Sequence, residues 1–273
     1  MDAIDRVLAV RRTGPLEVFL ADVGVVFRRF EDQDSGCASY GVRTAGGCWF
    51  VKTARSRAAA RSLERACALH ARVRHEAVVP LLHSFHAAGH PVLVYPWVEA
   101  EALYHPTVRA RPDRADPAGP MARFRQLPLA LVHAALDRIL DAHLAVSAAG
   151  FVAVDFYDGC VMYDFTRHRV HLCDLDEYRP GPFTHDVDRL PGSTRYMAPE
   201  EFTRGAVIDE RTTVHALGRA LRLLLDAGDC ESAWRGTGAQ LGVVNHATAP
   251  SPGDRYATVC ELAAQWRAVT TRA

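Results

Sequence analysis

Residues 149–178 constrain the fold of this chain more than any other stretch. They read AGFVAVDFYDGCVMYDFTRHRVHLCDLDEY, in which an apolar lead ends at Asp155 and strands are predicted over 161–163 and 170–173. Two strands joined by a short polar turn form a hairpin, and here Asp155 precedes the first strand and Asp174 follows the second. We therefore expect the two carboxylates to lie close together. Aspartate is also an ordinary turn residue, so its position alone assigns neither residue a function.

The basic residues are almost all arginine. The sequence contains 32 Lys and Arg residues, and Lys52 is the single lysine among them. A lysine ammonium is a compact point charge, whereas a guanidinium is a planar fork, so the two are not interchangeable. This usage indicates that Lys52 is kept for its shape. The alternative is that it is a surviving surface lysine.

Length, charge and cysteine content exclude several classes of protein. A chain of 273 residues with 49% hydrophobic residues can form one large or two small globular units. Its formal net charge is zero, so we expect neither a nucleic-acid partner nor a polybasic membrane contact. No apolar run reaches the roughly 18 residues of a membrane span and the first residues lack a signal-peptide pattern, which predicts a cytoplasmic location. Seven cysteines without a C-x-x-C spacing favour thiols over disulfides or zinc ligands.

Hydrophobic patterning predicts an α+β chain whose first third is rich in strands and whose remainder is helical. We divide it into a β-rich part over 1–95 and a helical part over 96–273. Two alternating runs separated by a glycine pair predict a hairpin, and Lys52 lies on its second strand. Further strands are predicted over 23–30 and 91–95, and helices over 5–11, 54–74, 127–148, 212–225 and 258–269.

Three histidines follow one another at short spacing, at positions 83, 86 and 90. On a helix these side chains could share a face and bind a metal ion. Gly89 and Pro91 predict a loop instead, so we expect no metal site here.

Four features in this order resemble the protein kinase superfamily, in particular bacterial Ser/Thr kinases of the eukaryotic type. They are Val51-Lys52, the turn at Asp155, Asp174, and the run Met-Ala-Pro-Glu that ends at Glu200. The resemblance extends over residues 27–264. Its most specific part is GSTRYMAPE, which looks like the segment that seats a peptide substrate. The resemblance implies a bilobal fold with a small β-rich lobe and a larger helical lobe, which together form one kinase-like domain.

The same resemblance implies an enzyme that transfers the γ-phosphate of ATP with the help of Mg²⁺. Lys52 would hold the α and β phosphates, Asp155 would be the catalytic base and Asp174 would bind the metal ion. Adenine would lie against Tyr95, and its ring nitrogens would pair with backbone groups of the connector 96–98. The nucleotide contacts implied in this way are Lys52, Gly36, Glu64, Tyr95, Pro96 and Val98.

Several positions depart from the family pattern, chiefly around the metal ion. Cys160 stands where the family carries a metal-binding Asn, and sulfur is a poor ligand for Mg²⁺. We expect carboxylate oxygens of Asp158 and Asp176 to compensate, leaving an active enzyme with unusual metal ligation. Three further residues differ from the family pattern in type: Val154 replaces the Arg before the base, Tyr157 replaces a Lys and Thr213 replaces an Asp. Glu64 lies two residues upstream of the usual helix position. Gly36 and Gly41 do not fit G-x-G-x-x-G.

Residues 192–200 carry two further implied roles. Ser193 would contact the catalytic base, and Glu200 would form an ion pair with Arg255 that braces the segment. The Arg that Val154 replaces normally pairs with a phosphate on this segment. We therefore do not expect control by phosphorylation of the segment.

Three functions are open at this point. The first is a Ser/Thr protein kinase that acts on an unidentified protein, which residues 192–200 favour. The second is a phosphotransferase for a small hydroxylated molecule such as an antibiotic. The third is a pseudokinase that serves as a binding module, which Cys160 and the degenerate glycine loop favour. We expect a monomer, since the sequence shows no convincing dimer face.

Overall fold

The computed structural model describes residues 5–33, 35–107 and 112–271. The chain divides into two compact units. One comprises Met1–Arg72, Val79–Glu99 and Pro106–Arg111, and the other comprises Val73–Val78, Ala100–His105 and Pro112–Ala273. The predicted α+β class is confirmed, since the described residues form both a six-stranded sheet and long helices.

The first unit is built on this six-stranded sheet. Its strands are β1 (Arg12–Thr13), β2 (Val25–Phe30), β3 (Cys37–Thr44), β4 (Gly47–Ala54), β5 (His83–Ala87) and β6 (His90–Pro96). They lie in the order β1-β5-β6-β4-β3-β2, and every neighbouring pair is antiparallel except β1 with β5. The predicted hairpin is therefore present as β3 and β4, and it pairs Ser39 with Lys52.

The two faces of the sheet are covered by different helices. The short helices α1 (Arg6–Ala9) and α2 (Leu16–Val23) pack against one face, where Leu20 joins Val42 and Val51 in the core. Helix α3 (Arg57–Arg72) contacts β4 and β6 on the other face, where the His70 ring lies against Tyr95. Because side chains alternate along a strand, Lys52 points to the face opposite Val51.

The prediction that the three histidines lie in a loop is wrong. His83 and His86 lie on β5, and His90 begins β6, with a tight turn between the strands. Ala88 and Gly89 make this turn with φ of 47° and 85°, so the glycine marks a hairpin rather than a longer loop.

The second unit combines short strands with the longer helices. Its helices are α4 (Pro120–Arg125), α5 (Leu129–Ala148), α6 (Glu210–Leu224), α7 (Gly238–Ala247) and α8 (Val259–Thr270). Its strands are β7 (Glu101–Ala102), β8 (Phe151–Val152), β9 (Val161–Asp164), β10 (Arg169–Leu172), β11 (Arg179–Pro180), β12 (Phe183–Thr184) and β13 (Val207–Ile208). Helix α6 is buried on most of its surface and packs against α5, α7 and α8. Among the helices described, none has the length and apolarity needed to cross a membrane.

Replacing Leu20 with Ala tests the packing of α2 on the sheet. Leu20 is fully buried, so we expect the free energy of unfolding to fall by about 2–5 kcal/mol. Val18 lies on the same helix and is 67% exposed, so Val18→Ala should change it by no more than about 0.5 kcal/mol. Urea unfolding of both variants checks this, and equal losses would mean that α2 does not pack as described.

Candidate functional site

Lys52 lies on the face of the first unit's sheet that α3 covers. Its side chain is 5% exposed, and its cross-strand neighbours are Ser39 on β3 and Leu93 on β6. The Ser39 hydroxyl is buried and has no hydrogen-bond partner within the described residues. An ammonium and a hydroxyl on adjacent strands of one face form a local group that can donate to phosphate oxygens.

A cluster of aromatic rings lies on the same face. The Phe50 ring, two residues before Lys52, lies 5.9 Å from Phe30 and 6.4 Å from Tyr95, measured between ring centroids. Trp97 stacks on Phe30 at 6.5 Å. Local sequence patterns do not predict this cluster, although Phe50 lies at the even spacing from Lys52 that places both on one face. The rings offer π surfaces to a planar ligand.

Gly41 makes this aromatic packing possible. A Cβ atom at this position would lie 2.8 Å from the Phe27 ring and 2.9 Å from the Trp97 ring. The missing side chain of Gly41 therefore makes room for two rings. Gly36 has a different reason to be glycine, because it turns the chain into β3 with a φ of 71°.

Two of the predicted nucleotide contacts, Glu64 and the connector after β6, can be checked against the structure. Glu64 is exposed on α3, whose buried side chains include Leu63 and His70, so the structure gives Glu64 no place beside β4. Pro96 has no N–H, and the Trp97 N–H donates to the Cys48 carbonyl at 2.9 Å. The N–H that could serve a base within the predicted connector is therefore that of Val98.

In the second unit, the backbone carbonyls of Asp155 and Asp174, on either side of the hairpin of β9 and β10, both lie near the Cys160 sulfur. The predicted approach of their carboxylates stays a prediction. The strands pair over four residues each, and Cys160 immediately precedes β9. Asp155 and Asp174 both have a left-handed backbone, with φ of 61° and 57°. Such angles are uncommon for residues other than glycine and occur often at functional sites.

The Cys160 thiol connects the two aspartates. Its Sγ donates to the Asp155 carbonyl at 3.3 Å and lies 3.8 Å from the Asp174 carbonyl oxygen. Burial raises the pKa of this thiol well above its usual value, and the negative charges of Asp155 and Asp174 raise it further. Cys160 is therefore a neutral hydrogen-bond donor, which explains its place here better than metal ligation does.

Asp158 is held by an arginine. Arg114 donates to its two carboxylate oxygens at 2.5 and 3.0 Å, and the guanidinium lies over the Tyr104 ring at 3.3 Å. The Asp158 side chain is fully buried in this pair. Because Arg114 occupies both oxygens, Asp158 is not placed to compensate for Cys160 at a metal ion.

The remaining oxygen donors suit Mg²⁺ in kind. Asp174 is exposed and Asp176 is buried two residues later. Carboxylate oxygens are the ligands that Mg²⁺ prefers, and it usually keeps several waters and phosphate oxygens as well. The described residues contain no group of three or more His, Cys, Asp or Glu side chains arranged to hold a metal ion. Asp174 and Asp176 are thus the residues that would hold a Mg²⁺ ion, and phosphate oxygens of a bound ligand would complete its coordination.

The turn that contains Asp155 is anchored from two helices. Thr213 on α6 is buried, and its hydroxyl accepts from the Ala153 N–H at 2.9 Å. His143 on α5 contacts the Tyr178 hydroxyl at 2.8 Å and the Phe156 ring at 4.5 Å. Burial lowers the pKa of His143 to about 4, so the ring is neutral at neutral pH. Thr213 thus supplies an acceptor where the family pattern has an Asp.

Tyr157 lies in the same turn, and its ring packs against Gly159. A Cβ atom at Gly159 would collide with the Tyr157 ring, so a glycine is required below it. Burial raises the pKa of the Tyr157 phenol, and the negative charges around it, those of Asp174, Asp155 and Asp158 among them, add to this. Its hydroxyl is therefore a neutral donor close to the carboxylates.

The segment 192–200 is tied down at both ends. The predicted ion pair of Glu200 and Arg255 is present, with two contacts of 2.7 and 2.9 Å, and both side chains are buried. Burial opposes ionisation of Glu200, but the hydrogen bonds from Arg255 hold its pKa below the usual value. At the other end, Arg189 donates to the Gly192 carbonyl at 2.7 Å. Among the described contacts, the Ser193 hydroxyl makes no hydrogen bond to Asp155, so its predicted contact with the base stays a prediction.

The structure thus groups the predicted site residues within each unit. Lys52 and Tyr95 share one face of the sheet in the first unit, whereas Asp155 and Asp174 flank the hairpin of the second. Glu64 and Asp158 fall outside these groups for the reasons given above. Comparison of the chain with models of known protein families and with curated proteins found no match.

Replacing Glu201 with Gln tests the electrostatics of the segment through pH. Glu201 is 2% exposed, and burial raises the pKa of its carboxyl from 4.5 to about 7. Between these two pH values the folded state keeps a proton that the unfolded state has lost, so the stability of the wild type falls as pH rises through this window. Glu201→Gln should remove this loss and be more stable than the wild type by about 1–3 kcal/mol at pH 8.

Urea unfolding at several pH values between 4.5 and 8 measures this difference. Glu99 is exposed, and Glu99→Gln is the matched control that should follow the wild type at each pH. A constant difference between Glu201→Gln and the wild type over this range would contradict the raised pKa.

Proposed function

We propose that this protein is an ATP-dependent phosphotransferase of the protein kinase superfamily, with the bilobal kinase-like arrangement, and that its acceptor is a Ser or Thr hydroxyl of a protein. The observation that carries the proposal is the pair of left-handed aspartates, Asp155 and Asp174, held together at the ends of one hairpin. The segment 192–200 with its buried Glu200–Arg255 pair supports the choice of a protein acceptor.

Phosphoryl transfer requires positioned charges rather than covalent chemistry by protein groups. In this proposal Lys52 holds the α and β phosphates, and Asp155 accepts or orients the proton of the acceptor hydroxyl. Asp174 and Asp176 hold Mg²⁺, which neutralises charge on the phosphates when bound. The neutral Tyr157 hydroxyl donates to a phosphate oxygen in the position where the family pattern has Lys.

The segment 192–200 needs no phosphate to be held in this proposal. Arg195 donates to Asp229 at 2.9 and 3.0 Å, and Arg219 on α6 donates to the Arg195 carbonyl at 2.7 Å. Arg219 in turn pairs with Glu231 at 2.5 and 3.0 Å. These permanent charges supply what a phosphorylated residue supplies elsewhere, which supports the prediction that phosphorylation of the segment does not control activity.

A pseudokinase is the second candidate, and the aromatic cluster favours it. Phe27, Phe30, Phe50 and Trp97 contact one another on the face that carries Lys52. Rings that fill the place of a base would leave a phosphate contact without an adenine contact. The neutral Cys160 also removes one metal ligand of the family pattern.

Transfer of labelled γ-phosphate from ATP to the protein itself and to a generic protein acceptor tests the proposal. We expect transfer by the wild type, and a loss of about 10²-fold or more in Lys52→Ala, Asp155→Asn and Asp174→Asn, because each removes a charge that acts on the reacting groups. Asp22 is exposed and pairs with Arg6, so Asp22→Asn is the control that should keep full activity.

The same assay separates the candidate functions. Turnover that is unchanged in Asp174→Asn would remove this residue from the mechanism, and no transfer by the folded wild type would favour the pseudokinase. A large gain in Cys160→Asn would show that the metal site is impaired as it stands. Transfer to small hydroxylated molecules without transfer to protein would favour the small-molecule enzyme.

A further inference from the structure

The second unit contains a cavity of about 250 Å³ where the end of α5, the strand β8, the turn after β11 and the start of α6 come together. Its lining residues, all within the described part of the chain, include neither Asp155 nor Asp174. One wall of the cavity is apolar and is formed by Phe151, Val152, Pro182 and Ala257. Such a wall favours an apolar group, because burial removes that group from water.

The opposite character belongs to three consecutive residues at the start of α6, which line the same cavity. They are Asp209, Glu210 and Arg211. Arg211 donates to both carboxylate oxygens of Asp209, from Nε at 3.1 Å and from Nη2 at 2.5 Å, so these two charges balance each other. Within the described chain, Glu210 forms no ion pair. The polar part of the lining therefore carries one carboxylate in excess.

The Glu210 carboxylate is held through one of its oxygens. Oε1 accepts from the Ser147 hydroxyl at 2.5 Å and from the Val259 N–H at 2.8 Å. Oε2 accepts no hydrogen bond from the described residues, and the side chain is half-buried. Two donors on one oxygen fix the direction of the carboxylate, so Oε2 is a preorganised acceptor that the cavity offers to a ligand.

One available carboxylate oxygen beside an apolar wall suits an ammonium group better than other cations. A guanidinium pairs best with both oxygens of a carboxylate, and here Oε1 is occupied. Mg²⁺ and Ca²⁺ need several oxygen ligands, and the described residues offer no group of three or more His, Cys, Asp or Glu side chains for a metal ion. An ammonium is a compact point charge for which one strong acceptor is sufficient.

We propose that this cavity binds a small organic amine. Its ammonium group donates to Glu210 Oε2, and its alkyl chain packs against Phe151 and Pro182. A single positive charge balances the excess carboxylate of the lining, while the alkyl chain leaves water. β8 runs from the cavity wall towards Asp155, so the amine contacts the strand that leads to this residue. This inference does not depend on the proposed transferase activity.

Titration calorimetry of the full chain with n-butylammonium chloride in phosphate buffer tests the proposal. n-Butanol has the same alkyl chain without the charge, and sodium chloride supplies a cation without the chain. We expect saturable binding of n-butylammonium that is about tenfold tighter than that of n-butanol or better, because the ammonium makes a charge-assisted hydrogen bond. Sodium chloride should give no saturable heat. Equal affinity for n-butylammonium and n-butanol, or no saturable binding of n-butylammonium, would overturn the proposal.

Two variants locate the bound amine. Glu210→Gln keeps an oxygen that can accept from Ser147 and Val259 but removes the charge, so n-butylammonium should bind about tenfold more weakly or worse. Glu76 is an exposed carboxylate of the second unit that pairs with Arg138 outside the cavity, and Glu76→Gln should bind as the wild type does. Melting curves without amine check that both variants are folded. Unchanged affinity in folded Glu210→Gln would overturn the assignment.

A crystal of the wild type soaked in n-butylammonium chloride gives a direct test that does not depend on a variant. We expect density for the ammonium group within hydrogen-bond distance of Glu210 Oε2, with the alkyl chain against Pro182. Density for water or a sodium ion alone in the cavity would overturn the proposal.

Discussion

The hydrogen bond from the Cys160 thiol to the Asp155 carbonyl is the interaction on which the arrangement of the candidate site depends. Cys160 lies at the start of β9, and its sulfur also lies beside the Asp174 carbonyl oxygen, so one buried atom links the residues that begin and end the hairpin. Both aspartates have left-handed backbones, a conformation that is uncommon for residues other than glycine. A neutral thiol can hold this arrangement without adding a charge between two carboxylates. In the proposed function, Cys160 would therefore supply no ligand to Mg²⁺ but would hold the backbones of the two aspartates in place.

Ion pairs between arginine and carboxylate side chains hold several residues of the second unit in place. Arg114 fixes Asp158, and Arg255 fixes Glu200 with the help of the Thr212 hydroxyl at 2.8 Å. A guanidinium can bind both oxygens of a carboxylate at once, which a lysine ammonium does not do with the same geometry. Breaking a buried pair of this kind leaves a charge unpaired, so these contacts favour one arrangement of the segment 192–200 over others. The nearly complete use of arginine in this chain is consistent with that role, and it leaves Lys52 as the exception on the sheet.

The sequence predicted those features that depend on local patterns. The β3–β4 hairpin, the long helix α5 and the hairpin of β9 and β10 all follow from alternation or helical periodicity. The pairing of Glu200 with Arg255 came from a resemblance, because 55 residues separate them and no local pattern joins them. Three features were missed for the same physical reason, which is that tertiary contacts decide them. Helix α2 packs on the sheet through Leu20, and Arg114 reaches Asp158 from a proline-rich stretch. The rings of Phe50 and Trp97 both come to lie beside Phe30 only after the strands have paired.

Binding of ATP is the property that the account requires before any chemistry, and thermal unfolding with and without ATP and Mg²⁺ measures it directly. Ligand at a hundred times its dissociation constant stabilises a folded state by about 2.7 kcal/mol. If Lys52 and Asp174 act on one nucleotide, the wild type should show a Mg²⁺-dependent rise in melting temperature with ATP, and both Lys52→Ala and Asp174→Asn should lose most of it. A wild type that does not respond to ATP, or a response that is equal in all three proteins, would contradict the account.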